Sequence, residues 1–199
     1  MKLVIQRVDE AKVTVDEAII GRISKGLLIL VGVSDTDTTD IADKMLDKAL
    51  KMRIFDDESG KTNLSLSDVG GELLLVSQFT LYANCKKGHR PSFMEAGKPE
   101  HAKALYEYML TKANDYCDVV QHGSFGAHMH VSLVGNGPFT IVLDSKELLG
   151  VNHFTDLPKT ISVGFIAVIF RLFKRGRIPW NTTSYIIHFI SKTLQLPYT

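Results

Sequence analysis

Cysteine is scarce: two in 199 residues, Cys85 and Cys117, which excludes a disulfide framework of any size. They do not stand in C-x-x-C spacing and read as reduced thiols of a cytoplasmic protein, with a single bridge left open. Long apolar runs are missing too. Met1–Arg7 lacks the apolar stretch of a signal peptide and reads as entering structure at once. The strongest apolar segment, Ile161–Phe170, covers ten residues, where roughly 20 are needed to span a bilayer. No G-x-S-x-G elbow, no G-x-x-x-x-G-K-[ST] phosphate loop and no G-x-G-x-x-G dinucleotide turn occurs, so three common catalytic or nucleotide-binding devices are excluded. A net charge of +1 commits the whole chain to no partner, but it hides a division. Residues 1–149 hold 17 Lys and Arg against 21 Asp and Glu, a net of −4, and residues 150–199 hold 6 against 1, a net of +5.

What is present is centred on Leu73–Tyr82, where seven of ten residues are apolar and Gly70-Gly71 precedes them. The run reads as a buried strand. Ser77, Gln78 and Thr80 interrupt it, and each polar group costs roughly 1–3 kcal/mol unless it finds a partner. Either neighbouring backbone satisfies them or the strand end opens on a ligand pocket.

Upstream, strands are expected at Lys2–Val8 and Lys12–Val15 with a turn at Asp9–Ala11, then at Ile19–Ile23 and Leu27–Val33. Thr39 or Asp40 caps a helix running to about Leu50, with Ile41, Met45, Leu46, Ala49 and Leu50 on one face. Met52–Phe55 reads as a short strand, and Asp56-Asp57-Glu58 as a solvated acidic turn. Downstream, Asn84–Gly97 is a loop, and Pro99 starts a helix over Glu100–Asn114 with Ala102, Leu105, Met109 and Ala113 in phase. Val119–Gln121, Met129–Val134 and Phe139–Leu143 complete the strands, the last two separated by Gly135-Asn136-Gly137-Pro138. The pattern implies an α+β domain, two helices packed on a largely antiparallel sheet. Residues 150–199 lack this patterning and read as an appended tail outside the functional fold.

Candidate chemistry is sparse. His122, His128 and His130 form the tightest metal-like group, but no cysteine or second carboxylate accompanies them, so no metal is assigned. Thr80 has no adjacent base to make it a nucleophile. Lys86-Lys87-Gly88-His89-Arg90 is either a solvated loop or a phosphate contact just past the central run.

Val76-Ser77-Gln78-Phe79-Thr80-Leu81 together with Asn136-Gly137-Pro138-Phe139-Thr140 closely resembles the two motifs of the D-aminoacyl-tRNA deacylase (D-tyrosyl-tRNA deacylase) family. Val4–Val8, Lys51–Phe55, Arg90-Pro91-Ser92-Phe93 and Phe125-Gly126-Ala127 before Met129 agree with it. The resemblance runs from Met1 to about Leu148 and implies a domain over residues 1–149. Gly135 and Asn136 stand where the family commonly has Asn and Asp, and Phe139 replaces Val.

The resemblance implies a cytoplasmic homodimer with active sites shared between subunits, no cofactor and no membrane. It implies hydrolysis of the ester joining a D-amino acid, or glycine on the wrong tRNA, to the 3′ end of tRNA, a proofreading step in translation. Ser77, Gln78, Phe79 and Thr80 are the implied catalytic wall, with backbone N–H groups near Phe79 holding the oxyanion and Thr80 positioning the ester. Gly137-Pro138, with a cis peptide bond, would enter the other subunit's pocket, hold the substrate amine and exclude an L side chain. Met129 and Ala127 would line the pocket, and Arg7 would brace the proline turn. The competing expectation is a non-catalytic tRNA-binding or scaffold protein that kept the fold, suggested by the changes at Gly135, Asn136 and Phe139.

Overall fold

A computed structural model describes residues 1–150; the expected tail, with its apolar Ile161–Phe170 segment, lies outside the described residues. Among the described residues, eight strands and two long helices follow one another. They are β1 (Lys2–Val15), β2 (Ala18–Ile23), β3 (Gly26–Gly32), α1 (Thr39–Lys51), β4 (Phe55–Asp56), β5 (Thr62–Leu64), β6 (Glu72–Ser77), α2 (Pro99–Ala113), β7 (Val120–His122) and β8 (His130–Asp144), ending in the single turn α3 (Ser145–Leu148). No helix among the described residues is long and apolar enough to cross a membrane.

The helices form for the reasons their sequences carry. Thr38 caps α1, its hydroxyl accepting from the Ile41 N–H at 3.4 Å, and Ala42, Met45, Leu46, Ala49 and Leu50 make the buried stripe. Pro99 occupies the first turn of α2, where its missing N–H costs nothing, and Ala102, Leu105, Tyr106, Met109 and Ala113 turn inward. Tyr108 donates to Asp43 at 2.8 Å, and Tyr116, just past the end of α2, to Asp47 at 3.2 Å, fastening α2 and the turn after it to α1.

The sheet is mixed rather than largely antiparallel. β1 pairs antiparallel with β2, β3 and β8, but β3–β6 and β6–β7 are parallel, in the order β2-β1-β3-β6-β7. Parallel neighbours require a crossover. α1 lies between β3 and β6 in sequence, and α2 between β6 and β7, so each helix is such a crossover.

Both faces of the central strands are covered. Leu27, Ile29, Val31, Leu73 and Leu75 face the helices, and Leu28, Leu74 and Val76 face the other way onto Val8, Ala11, Val13 and Ile23. The second core exists because the sheet curls: β2 lies so close to β7 that a Cβ on Gly21 would stand 2.8 Å from the His122 carbonyl oxygen. A strand buried on both sides is apolar at every position, which is why Leu73–Val76 shows no alternation.

Four boundaries differ from the sequence expectation. β1 is continuous through Asp9–Ala11, since β8 pairs with it along its length and shifts of register near Val8 absorb the irregularity. β4 begins at Phe55 rather than Met52, where β5 supplies its partner. The central strand stops at Ser77. Its last parallel partner is Val31, and Phe79–Tyr82 closes into a short 3-10 turn. Finally, Gly135–Pro138 does not end a strand. Gln6 pairs with Thr140 and Val8 with Gly135, so Asn136–Phe139 bulge from β8 opposite Arg7.

Candidate active site

The end of β6 opens on a cavity of about 760 Å³. Its floor is Val31, Val33 and Val76, one wall comes from Ser77, Gln78 and Phe79, and the others from Phe93–Pro99 and Phe125–Met129. Ladder pairing ends here, and that is what exposes the polar groups. The Gln78 N–H still donates to the Val31 carbonyl at 2.7 Å, and the Gln78 side-chain amide donates to the Thr80 hydroxyl at 2.5 Å. Phe79 and Thr80 then start the 3-10 turn, where N–H groups have no acceptor one turn earlier. No hydrogen bond is made by either N–H among the described residues. Phe79 is 57% exposed and sets its ring edge-on to Phe93 at 5.1 Å between centroids, closing the wall at the mouth.

Behind the cavity, the Tyr106 hydroxyl donates to the Leu75 carbonyl at 2.8 Å and lies 3.5 Å from that of Gly123. Burial pushes its pKa up, so it stays a donor and locks α2 to the sheet beside the cavity. Met129 enters because Gly123 has no side chain: a Cβ there would meet the Met129 sulfur at 2.6 Å.

A second cluster forms around the β8 bulge. The Arg7 side chain is nearly buried at 7% exposure, and it donates from Nε to the Asn136 carbonyl at 3.1 Å and from Nη1 to the Ile54 carbonyl at 2.7 Å. Its guanidinium lies over the Phe139 ring, 5.0 Å from the centroid. The Asn136 amide donates to Asp9 at 2.7 Å, anchoring the bulge at its start. Gly137 has φ +124°, a conformation that disfavours any Cβ, and its bond to Pro138 is cis. Both residues are exposed.

Ser77, Gln78, Phe79, Ala127 and Met129 therefore share one cavity. Arg7, Gly137 and Pro138 gather at the bulge and do not line that cavity, and nor does Thr80, which sits half-buried in the 3-10 turn. His128 and His130 pack edge to face at 5.2 Å. Sequence reasoning missed Tyr106, whose place on the buried stripe of α2 looks like ordinary core. It also missed Phe93 and Phe125 as walls and Lys98 at the rim, although the first two lie in segments it had already singled out.

The D-Tyr-tRNA(Tyr) deacylase family model matches residues 4–144. The D-aminoacyl-tRNA deacylase of Clostridioides difficile (strain 630) is 55% identical over 147 residues, covering 74% of this chain and 99% of that protein. That of Thermosipho africanus (strain TCF52B) is 51% identical over 148 residues, covering 74% and 99%. Among solved structures, the c-Myc DNA Unwinding Element Binding Protein superimposes with a TM-score of 0.69 at 40% identity, over 72% of this chain and 98% of that one. A structure described as a probable eukaryotic D-amino acid tRNA deacylase reaches a TM-score of 0.64 at 18% identity, over 72% and 98%, and shares the fold.

Proposed function

This chain belongs to the D-Tyr-tRNA(Tyr) deacylase family, and from that membership we propose that it is a D-aminoacyl-tRNA deacylase, a hydrolase that proofreads charged tRNA in the cytoplasm. The observation that carries the reading is the end of β6: Ser77, Gln78 and Phe79 border a cavity with the unpaired Phe79 N–H on its wall residue, in a chain 55% identical to a curated deacylase across nearly all of that protein.

The reaction breaks the ester between the amino acid and the ribose of the terminal adenosine. Water adds to the carbonyl carbon, the carbonyl oxygen takes up negative charge, and the ribose oxygen leaves with a proton. The Phe79 N–H is the donor for that oxyanion, a contact worth about 2.7–4 kcal/mol when well placed in other hydrolases. Thr80 is held by the Gln78 amide and has no hydrogen-bonded base among the described residues, so it serves to position and not to attack. The vicinal 2′-hydroxyl of the RNA assists the water, and the protein's contribution is placement of the ester.

Chiral selection belongs to the bulge. Gly137 and Pro138 are exposed and do not line their own chain's cavity, which favours delivery into a partner's cavity in a homodimer. Val134, 49% exposed, and Val142, 66% exposed, flank the bulge on β8 and offer apolar surface for that contact. Backbone pressed against the substrate amine leaves no room for an L side chain, and glycine passes because it has none.

The test is hydrolysis of matched D-, L- and glycyl-tRNA by the full chain and by residues 1–149. D-aminoacyl- and glycyl-tRNA are expected to lose their amino acid and L-aminoacyl-tRNA to keep it, within a few-fold for both lengths. A protein that binds tRNA but leaves every ester intact is a scaffold, and the proposal fails.

A further inference from the structure

The basic loop after the 3-10 turn has no role in the site described so far. Lys86, Lys87, His89 and Arg90 are all exposed, and no carboxylate pairs with the three full charges among the described residues. Elsewhere among the described residues some cations are paired, as in Lys44–Asp40, Lys51–Asp47 and Lys112–Asp115, and others such as Lys12, Lys48 and Lys61 are not, but none of these forms a cluster of three within five residues. The nearest acid in sequence, Glu95, accepts from the Asn84 amide at 3.0 Å.

The loop is anchored at its base. Asn84 and Ser92 exchange backbone hydrogen bonds of 2.7 and 3.0 Å, pinning its base. The next residue, Phe93, is the cavity wall set edge-on to Phe79, and Lys98 adds a cation to the same rim. Arg90 is three residues from Phe93, so its Cα stands within roughly 11 Å of the wall. Lys98 lines the cavity and Arg90 is tied by the chain within that reach of its Phe93 wall, while residues 1–149 carry a net of −4. A polyanion meets repulsion over most of this unit and attraction at this rim, and screening beyond about 10 Å confines both to short range.

We propose that Lys86, Lys87 and Arg90 form a phosphate-binding clamp that holds the backbone of the RNA acceptor end while its terminal ester lies in the cavity beside Ser77–Phe79. The clamp rests on the deacylase reading and extends it from the ester to the nucleotides before it. Backbone contacts of this kind set register and orientation without reading bases, so the loop serves different tRNAs alike.

The test compares two substrates with the same reacting ester: D-aminoacyl-tRNA, and D-aminoacyl-adenosine, which has no phosphate. The full chain is assayed beside the Lys86→Ala, Lys87→Ala, Arg90→Ala triple variant over a range of salt. Three phosphate contacts contribute a log–log salt slope of about −2 to −2.7, or roughly 20- to 40-fold in affinity between about 50 and 200 mM salt. The variant should lose that slope on tRNA, through KM with kcat little changed, and should hydrolyse the adenosine ester like the parent. Replacement of the two lysines by arginine should preserve both KM and slope. An unchanged KM and salt slope on tRNA overturns the clamp. An equal loss on the adenosine ester also overturns it, since the loop would then shape the cavity. If the parent hydrolyses neither substrate, the deacylase reading fails instead, and the clamp is decided by uncharged tRNA binding to parent and variant.

Discussion

Replacing Arg7 with methionine should cost about 3–5 kcal/mol of stability, shared between the Ile54 carbonyl and the β8 bulge. The Nη1 bond to the Ile54 carbonyl, 2.7 Å and buried, is a charged-donor bond of about 1.5–3 kcal/mol net. The Nε bond to the Asn136 carbonyl is longer at 3.1 Å and partly buried, so about 1 kcal/mol is a fair share. The Phe139 face adds about 0.5–1 kcal/mol. The pair with Asp56, 3.4 Å away with its carboxylate 47% exposed, adds little once solvent screening is counted. Methionine keeps much of the volume, so the loss isolates the polar contacts from packing. Lysine keeps the charge but has one nitrogen, which can reach one of the two carbonyls; about half the loss should return. Circular dichroism is the suitable probe, because the only tryptophan, Trp180, lies outside the described residues. At this size the methionine variant should melt roughly 6–20 °C lower. A loss below about 1 kcal/mol, or a lysine variant as stable as the parent, would refute the claim that Arg7 holds the bulge.

Thr80→Ala should keep substantial hydrolysis of D-aminoacyl-tRNA, whereas Gly137→Ala should abolish it. At Gly137 a Cβ would stand 3.1 Å from the Phe139 nitrogen and 3.2 Å from Arg7 Nη2, on backbone at φ +124°. A dead Thr80 variant beside an active Gly137 variant would sink the positioning mechanism. In solution the protein should have twice the mass of one chain, and activity should fall on dilution in step with dissociation; a fully active monomer contradicts the shared site. Thiol titration at about pH 8 should find Cys85 fast and Cys117 protected until unfolding, since burial pushes the Cys117 thiol up to about 11 and Cys85 is exposed. Equal rates would refute that burial. Hydrogen bonds, chiefly from the Ser59 and Ser65 hydroxyls, hold the Asp57 and Asp68 carboxyls below their ordinary value of 3.8. A depressed carboxyl stabilises above its unfolded pKa and loses that contribution as pH falls through its folded one. The urea midpoint of the parent should therefore drop more steeply below about pH 4 than that of a D57N/D68N variant, and parallel curves would count against these bonds.

Much of the site and both long helices were legible in the sequence because they rest on local signals. The stripes of α1 and α2 follow from spacing, Pro99 marks a helix start wherever the chain goes, and an apolar run broken by Ser77-Gln78 leaves a ligand pocket as one of two readings, which the motif resemblance then favours. Parallel pairing was not legible. Leu73–Val76 reads the same in a parallel or an antiparallel sheet, since both faces are buried either way, and only the helical crossovers decide the direction. The ends of strands were decided the same way. Ser77 is the last residue of β6 because its neighbour β3 runs out, and the freed N–H groups of Phe79 and Thr80 follow from that neighbour and not from their own side chains. Gly135–Pro138 looks like a strand end in sequence, yet it bulges within a continuous strand because β1 lies alongside and Arg7 bonds across. By itself the sequence determined which groups were available: the polar wall, the flexible Gly137, the buried cation and the basic loop. Tertiary structure alone decided that the wall and the bulge lie apart in one chain. Their separation depends on which strands pair and in what register, and backbone hydrogen bonds between residues distant in sequence leave no mark on the side chains that make them.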